Sequence, residues 1–372
     1  MALPGAWNRL RAALAAEVRQ LTTLHSSDRA WQMPFAAALA TGLPLLAGAY
    51  CGRLADGLVA SLGGLVFLYL PATPLAQRMV SLMASAFGMV ACYAVGALGH
   101  LLPPFLAPLL IPMLGFVAIV VTMACRIHGV GPPGSLFFVM AAAIGAYTPV
   151  EPAMLPSRIG LIALGCLLAC LIGFVYSLHA LHRRAAPPPV PPPVPPPQPS
   201  FDFVVFDSVV IGVCVGISLA LAQALQLDKP YWVPVSCLAV IQGASLRAVW
   251  NRQLQRVLGT GVGMALAWGM LMLPLGPWSV GLSVMALSFV IEAMVVRHYG
   301  IAVVFITPLT ILLAEAATLG HDAPGPLVLA RFLDTVLGCV VGLAGAVCLH
   351  NPKFREAAGR PLRRLVPSRR LR

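Results

Sequence analysis

The residues of this 372-residue chain equipped to do chemistry are ionisable side chains set inside apolar runs. Each costs roughly 2.5–3.5 kcal/mol or more at the centre of a bilayer, so it faces a cavity or a partner and marks a pathway. Glu292 and Glu315 lie in two late apolar runs, and Arg331 and Asp334 stand at i, i+3 in the last one. That spacing puts the latter two on one face of a helix. Glu292, Glu315 and Asp334 have the chemistry of proton acceptors, while Arg331 and Arg158, its mate in the first half, have that of carboxylate receptors. A plainer reading is structural: Arg331 snorkels to an interface and Asp334 neutralises it. Arg126 and Arg297, with Arg78 and Arg256, border apolar runs on one side, where they either concentrate anions or anchor helix ends.

Other chemistry finds no footing. The chain has no GxxxxGK[ST], HExxH or GxSxG motif, so nucleotide-driven transport and hydrolysis lack a site, and no catalytic residue or cofactor is assigned. The nine cysteines sit in or beside apolar runs without a CxxC pair, and the histidines do not cluster, which speaks against a metal site. His128 and His298 stand beside Arg126 and Arg297 as helix-end histidines. Gly259 with Gly263 and Gly338 with Gly342 form two small-xxx-small patterns, read as close helix packing.

These residues need membrane helices to position them. Hydrophobic residues make up 59% of the chain and charged residues 10%, too few charges for a water-facing surface, since soluble domains carry about 25%. Apolar stretches at 34–50, 57–74, 79–99, 103–125, 131–148, 157–180, 204–226, 231–246, 256–273, 278–296, 299–318 and 325–349 predict an all-α polytopic membrane protein of about twelve transmembrane helices. With a cytoplasmic N-terminus, twenty of the 24 Lys and Arg lie inside, leaving Arg53, Arg158, Lys229 and Arg331 outside. This bias predicts cytoplasmic N- and C-termini and explains the +12 net charge by topology, without nucleic acid.

The expected organisation is a cytoplasmic amphipathic segment at 1–33, a six-helix repeat at 34–184, a Pro-rich cytoplasmic linker at 185–200, a second repeat at 201–350 and a polybasic tail at 351–372. The first segment lacks the order of a cleavable signal peptide. The linker reads as a polyproline II spacer. The tail suits anionic headgroups, each cation near the surface contributing on the order of 1 kcal/mol.

The halves align through three arginines: Arg78 with Arg256, Arg126 of MACRIHG with Arg297 of MVVRHYG, and Arg158 of SRIGLIALGC with Arg331 of ARFLDTVLGC. Their order and spacing predict parallel repeats about a pseudo-two-fold axis along the membrane normal.

Several stretches resemble the fusaric acid resistance protein family, whose members are bacterial inner-membrane proteins similar to aromatic-acid exporters and, more distantly, to plant aluminium-activated malate transporters. Lys229-Pro230-Tyr231-Trp232-Val233-Pro234 resembles that family's "YW" entry to a span. Arg256-Val257-Leu258-Gly259-Thr260, with Gly263, resembles its "R..GT..G" helix start, and Arg331 to Gly338 resembles its closing "R..DT..G" helix. The first half departs, with Ser81-Leu82 where Gly-Thr would follow Arg78, and Gly160-Leu161 read where Asp-Thr would follow Arg158.

The resemblance implies efflux of small organic acids, aromatic carboxylic acids among them, often with a periplasmic adaptor protein. Energy then comes from an ion gradient or from the substrate itself, proton coupling being the leading expectation. A passive organic-anion channel and a non-transporting membrane scaffold are the competing readings, and self-association into a homo-oligomer stays open.

Overall fold

A computed structural model describes residues 23–27, 29–183, 200–243, 245–315 and 324–365. The expected N-terminal amphipathic stretch falls largely on residues 1–22, and the proline spacer on 184–199, outside the described residues. Every regular element among the described residues is helical. In chain order these are α1 (Gln32–Tyr50), α2 (Leu54–Gly64, prolonged by a 3₁₀ turn Leu65–Tyr69), α3 (Leu75–His100), α4 (Leu110–Ile127), α5 (Leu136–Tyr147) and α6 (Leu155–Arg183). The second half follows with α7 (Asp207–Ala224, entered through a π turn Asp202–Phe206), α8 (Trp232–Ile241), α9 (Leu246–Leu271), α10 (Pro277–Met294), α11 (Tyr299–Glu315) and α12 (Pro324–His350). α13 (Pro352–Leu365) closes the described chain.

Each of the apolar stretches read from the sequence falls on one of α1–α12. α9 begins ten residues ahead of its stretch, at Leu246 rather than 256. Hydropathy reports depth, not helicity: Ser245 N-caps α9 by accepting from the Ala248 amide at 3.2 Å, and the polar turns holding Arg247, Asn251 and Arg252 are helical without being apolar. Seven described segments, on α1, α3, α4, α6, α7, α10 and α12, are long and apolar enough to cross a membrane. α2, α5, α8 and α11 are apolar but shorter.

Depth of burial explains how the short helices are tolerated. Ten residues span about 15 Å, half of a hydrocarbon core of roughly 30 Å, yet every residue of α8 is buried. α6 takes the lipid side: Leu164, Leu167, Leu171 and Val175 form an exposed stripe at helical spacing. Abbreviated helices are stable at membrane depth only when protein surrounds them.

Packing recurs with an offset of six helices. α1 packs on α2 as α7 does on α8, α2 on α6 as α8 on α12, α3 on α5 as α9 on α11, and α3 on α6 as α9 on α12. The halves interlock through exchanged pairs, α1 with α10 and α7 with α4. Gly165 of α6 lies against the Ala60 carbonyl of α2, so closely that a Cβ there would overlap it; Gly338 of α12 lies in the same way against the Val233 carbonyl of α8. This equivalence fixes the register between the halves. It is the register in which Arg158 matches Arg331, so Leu161 is the counterpart of Asp334 and Ile162 that of Thr335, each one residue beyond the Gly160-Leu161 read against Asp-Thr.

Candidate functional site

α8 is the rod on which the site is built, because its neighbours α9 and α12 both direct arginines onto it. Arg331, two turns into α12, is 7% exposed, and its guanidinium carbon lies 4.1 Å from the ring centroid of Trp232, the first residue of α8. Its Nε and Nη1 have no hydrogen-bond partner. Asp334, one turn further along α12, is 2% exposed, and its Oδ1 is also without a partner. Of the two readings of Arg331, pathway residue or snorkelling residue, the observed placement departs from the second: the side chain is inside, under an indole.

Arg256 reaches α8 one turn along. It donates from Nη2 to Ser236 Oγ at 3.2 Å and from Nη1 to Tyr299 Oη at 3.0 Å, while its Nε is unpartnered. Arg252 stacks over the Tyr299 ring at 4.7 Å. Trp232 and Ser236 are four residues apart, so the two guanidinium groups attach about 6 Å apart along α8.

An aromatic row carries the site to the other half. Trp232 lies 5.2 Å from Tyr231, and Tyr231 lies 6.2 Å from Tyr147 at the end of α5, ring centroid to ring centroid. Tyr147 Oη accepts a hydrogen bond from Gln223 Nε2 at 2.6 Å. Below Trp232, Val235 and Met140 continue the seam, with Leu62 and Leu65 of α2 packed against them.

A buried guanidinium with undirected N–H groups costs stability, since a buried charge costs several kcal/mol unless it is paired and hydrogen-bonded. Such a group fits an anion that supplies the missing acceptors, and Arg recognises carboxylates through its planar fork. An indole face beside it suits an apolar or aromatic body on that anion. The first half has no equivalent: Val59, Gly63 and Leu161 stand where the second half has Trp232, Ser236 and Asp334. Its buried Arg78 is engaged by the Thr73 carbonyl (2.6 Å) and Ser177 Oγ (3.4 Å).

Of the residues singled out in the sequence, the structure brings Arg331 and Asp334 together here. Arg158 is half-buried on α6 in the other half, and Arg297 is exposed after α10. Glu292 lies 3.1 Å from Arg29, and the Arg297 carbonyl accepts from the His25 amide at 3.0 Å. Arg126 pairs with Asp207 at 3.1 Å, stacks on Phe203 at 4.4 Å and donates to the Phe203 carbonyl. Glu315 ends α11, with its side chain outside the described residues. Gly259 and Gly263 face the Gly300 and Val304 carbonyls of α11, and Gly342 faces the Cys237 carbonyl of α8. Surface grooves lie on the flank of α1, α2 and α6, beside the exposed Arg53–Asp56 pair (2.7 Å) and away from the buried cations.

Sequence reasoning missed Trp232, Ser236, Tyr299 and Tyr147 as site residues. Tyr231-Trp232 was legible as a motif, but only tertiary packing sets its indole on Arg331.

Residues 210–345, spanning most of α7 through α12, match a family described as fusaric acid resistance protein-like. The chain is also 21% identical to an uncharacterized membrane protein, YvaC, of Bacillus subtilis (strain 168), over 89% of this chain and 74% of that one. No solved structure matches the chain. The match falls on the half that holds Arg256, Trp232, Arg331 and Asp334, and with the apolar helices it marks a multi-pass membrane protein.

Proposed function

We propose, with a fusaric acid resistance-like second half as the premise, that the protein is an inner-membrane exporter of small organic anions, aromatic carboxylic acids above all. The observation that carries this reading is Arg331, buried under Trp232 with Nε and Nη1 unpartnered. The substrate carboxylate takes those donors, and its ring lies along the Trp232–Tyr231 row. Asp334, one turn along the same helix, balances the charge of Arg331 without occupying its Nε and Nη1. The recurrence of packing every six helices supports two six-helix units, 34–184 and 201–350, with the substrate path at the seam where α2, α5 and α8 meet.

Proton coupling is assigned to Glu292. Its carboxylate is held by Arg29 at one end of α10, so protonation releases the segment before α1 from the second half. The charge bias supports a cytoplasmic side for that end and for both termini. A periplasmic adaptor as the receiver of the substrate rests on the family resemblance.

The test is uptake of labelled aromatic carboxylates into inverted vesicles, with and without an imposed proton gradient. Arg331→Lys keeps the charge and loses the fork, so uptake falls about tenfold or more, while Glu292→Gln abolishes the dependence on the gradient and leaves substrate binding intact. Uptake indifferent to Arg331→Lys overturns the site. Flux that runs only down the substrate's own gradient, in wild type and Glu292→Gln alike, makes the protein a channel. No flux of any carboxylate through correctly inserted protein overturns transport altogether.

A further inference from the structure

The last described helix is organised in a way that the seam does not need. Asn351 alone separates α12 from α13, and its Oδ1 caps α13 by accepting from the Lys353 and Phe354 amides at 3.0 and 3.3 Å. The first turn of α13 therefore starts at the membrane end of α12, at headgroup depth. One arc of the helix is apolar: Phe354 meets Phe206 at 6.3 Å between ring centroids, and Ala358 and Leu362 pack on the core. The opposite arc carries Lys353, Arg360 and Arg363, all exposed, with Glu356 as its one acid, already taken by Arg360.

Arg355 points the other way. It lies 2.9 Å from Asp207 Oδ1 and donates to the Leu349 carbonyl at 2.8 Å. Asp207 Oδ2 is at the same time 3.1 Å from Arg126 of α4. One carboxylate at the head of α7 thus joins α13 to α4, and so the C-terminal helix to the crossing of the two halves. Arg363 completes the attachment with hydrogen bonds to Asp202 at 2.7 and 3.0 Å, but it is 61% exposed, so this second hold is open to exchange.

We infer that α13 is an anionic-phospholipid-reading helix, its Lys353, Arg360 and Arg363 face taking headgroup phosphates, and that Arg355 and Asp207 pass this occupancy to the α4–α7 junction. Phospholipid is the occupant because α13 follows a membrane helix within one residue. The apolar arc of α13 is taken up by the protein core, so the exposed cationic arc, with Phe203 and Phe354 at its edge, is the face that suits the inner-leaflet headgroup layer. Arg363 exchanges an exposed carboxylate for a phosphate, which the same planar fork holds bidentately. This inference stands on the cytoplasmic network and holds whether or not the seam transports.

The test uses the purified full chain in detergent, with phosphatidylglycerol or phosphatidylcholine added back. Bound lipid is counted by native mass spectrometry, and thermal stability is followed in parallel. Wild type retains phosphatidylglycerol in preference to phosphatidylcholine and is stabilised by it; Lys353→Gln/Arg360→Gln/Arg363→Gln loses the preference, an apparent affinity loss of about a hundredfold for three cations. Arg355→Gln keeps the bound phosphatidylglycerol but loses the thermal shift that accompanies it. Equal retention of both lipids by wild type, or a phosphatidylglycerol preference untouched by the triple substitution, overturns the assignment. A thermal shift that survives Arg355→Gln overturns the coupling. Stabilisation by short RNA exceeding that by phosphatidylglycerol reassigns the face to nucleic acid.

Discussion

Arg331 is placed where a side chain works against the stability of its own fold. Its guanidinium is out of water, under Trp232, with N–H groups that no described residue accepts, and Asp334 adds a second buried polar atom without a partner. Replacing buried ionic groups by apolar side chains of similar volume is often neutral, or stabilising by about 1–4 kcal/mol. The first half already holds Leu161 where the second holds Asp334. Arg331→Met combined with Asp334→Leu is therefore expected to leave the melting temperature in detergent unchanged or higher, while the stabilisation conferred by added aromatic carboxylate disappears. A large fall in melting temperature would mean instead that Arg331 is structural. Arg256 makes the contrast at the same scale: anchored to Ser236 and Tyr299, it is a positioned cation with one unpartnered donor.

Helix pairs hold the halves in register through backbone-to-backbone approach. Gly165 against Ala60 and Gly338 against Val233 leave no room for a methyl group, since the facing atom is a carbonyl oxygen. Gly160, five residues before Gly165 on the same helix, has nothing within 4 Å of a Cβ position. Gly165→Ala is thus expected to destabilise by about 1–3 kcal/mol through overpacking, and Gly160→Ala to stabilise by up to about 1 kcal/mol through helix propensity. Thermal unfolding of the two variants side by side checks both signs; equal effects would dissolve the register on which the equivalence of the halves rests. The lead-in to each half crosses to the other with opposite polarity: basic Arg29 before α1 meets Glu292 on α10, and acidic Asp207 at the head of α7 meets Arg126 on α4. Like charges would face each other if a half paired with its own copy, so the polarity favours the mixed pairing seen here.

At the scale of the whole molecule, α3, α4, α6 and α10 turn most of their surface outward while α8 is enclosed, and the polar constellation lies on α8. Such a layout needs lipid around it and a fixed orientation in the bilayer. Cys51, in the turn between α1 and α2, is the exposed cysteine of the chain, the other eight being buried or half-buried. With the N-terminus inside, that turn is on the outer face. A membrane-impermeant maleimide applied to intact cells is expected to label the protein, and Cys51→Ser to abolish the labelling. Labelling confined to inverted vesicles would reverse the orientation.

What the amino-acid sequence determined by itself follows from quantities that are local or additive. Apolar run length, arginine and lysine placement and proline punctuation do not depend on which helix meets which, so membrane class, helix order and the family resemblance of the second half could be read directly. Arg331 and Asp334 were visible too, because a charge in an apolar run stands out. The start of α9 was misplaced because Arg247, Asn251 and Arg252 lower hydropathy without ending a helix. Trp232 over Arg331, Ser236 under Arg256, and Tyr147 facing Tyr231 were not legible. These contacts join residues about 20 to 100 positions apart, and only the tertiary structure decides them, because the carbonyl-to-glycine approach of α8 and α12 sets which side chains share the buried face.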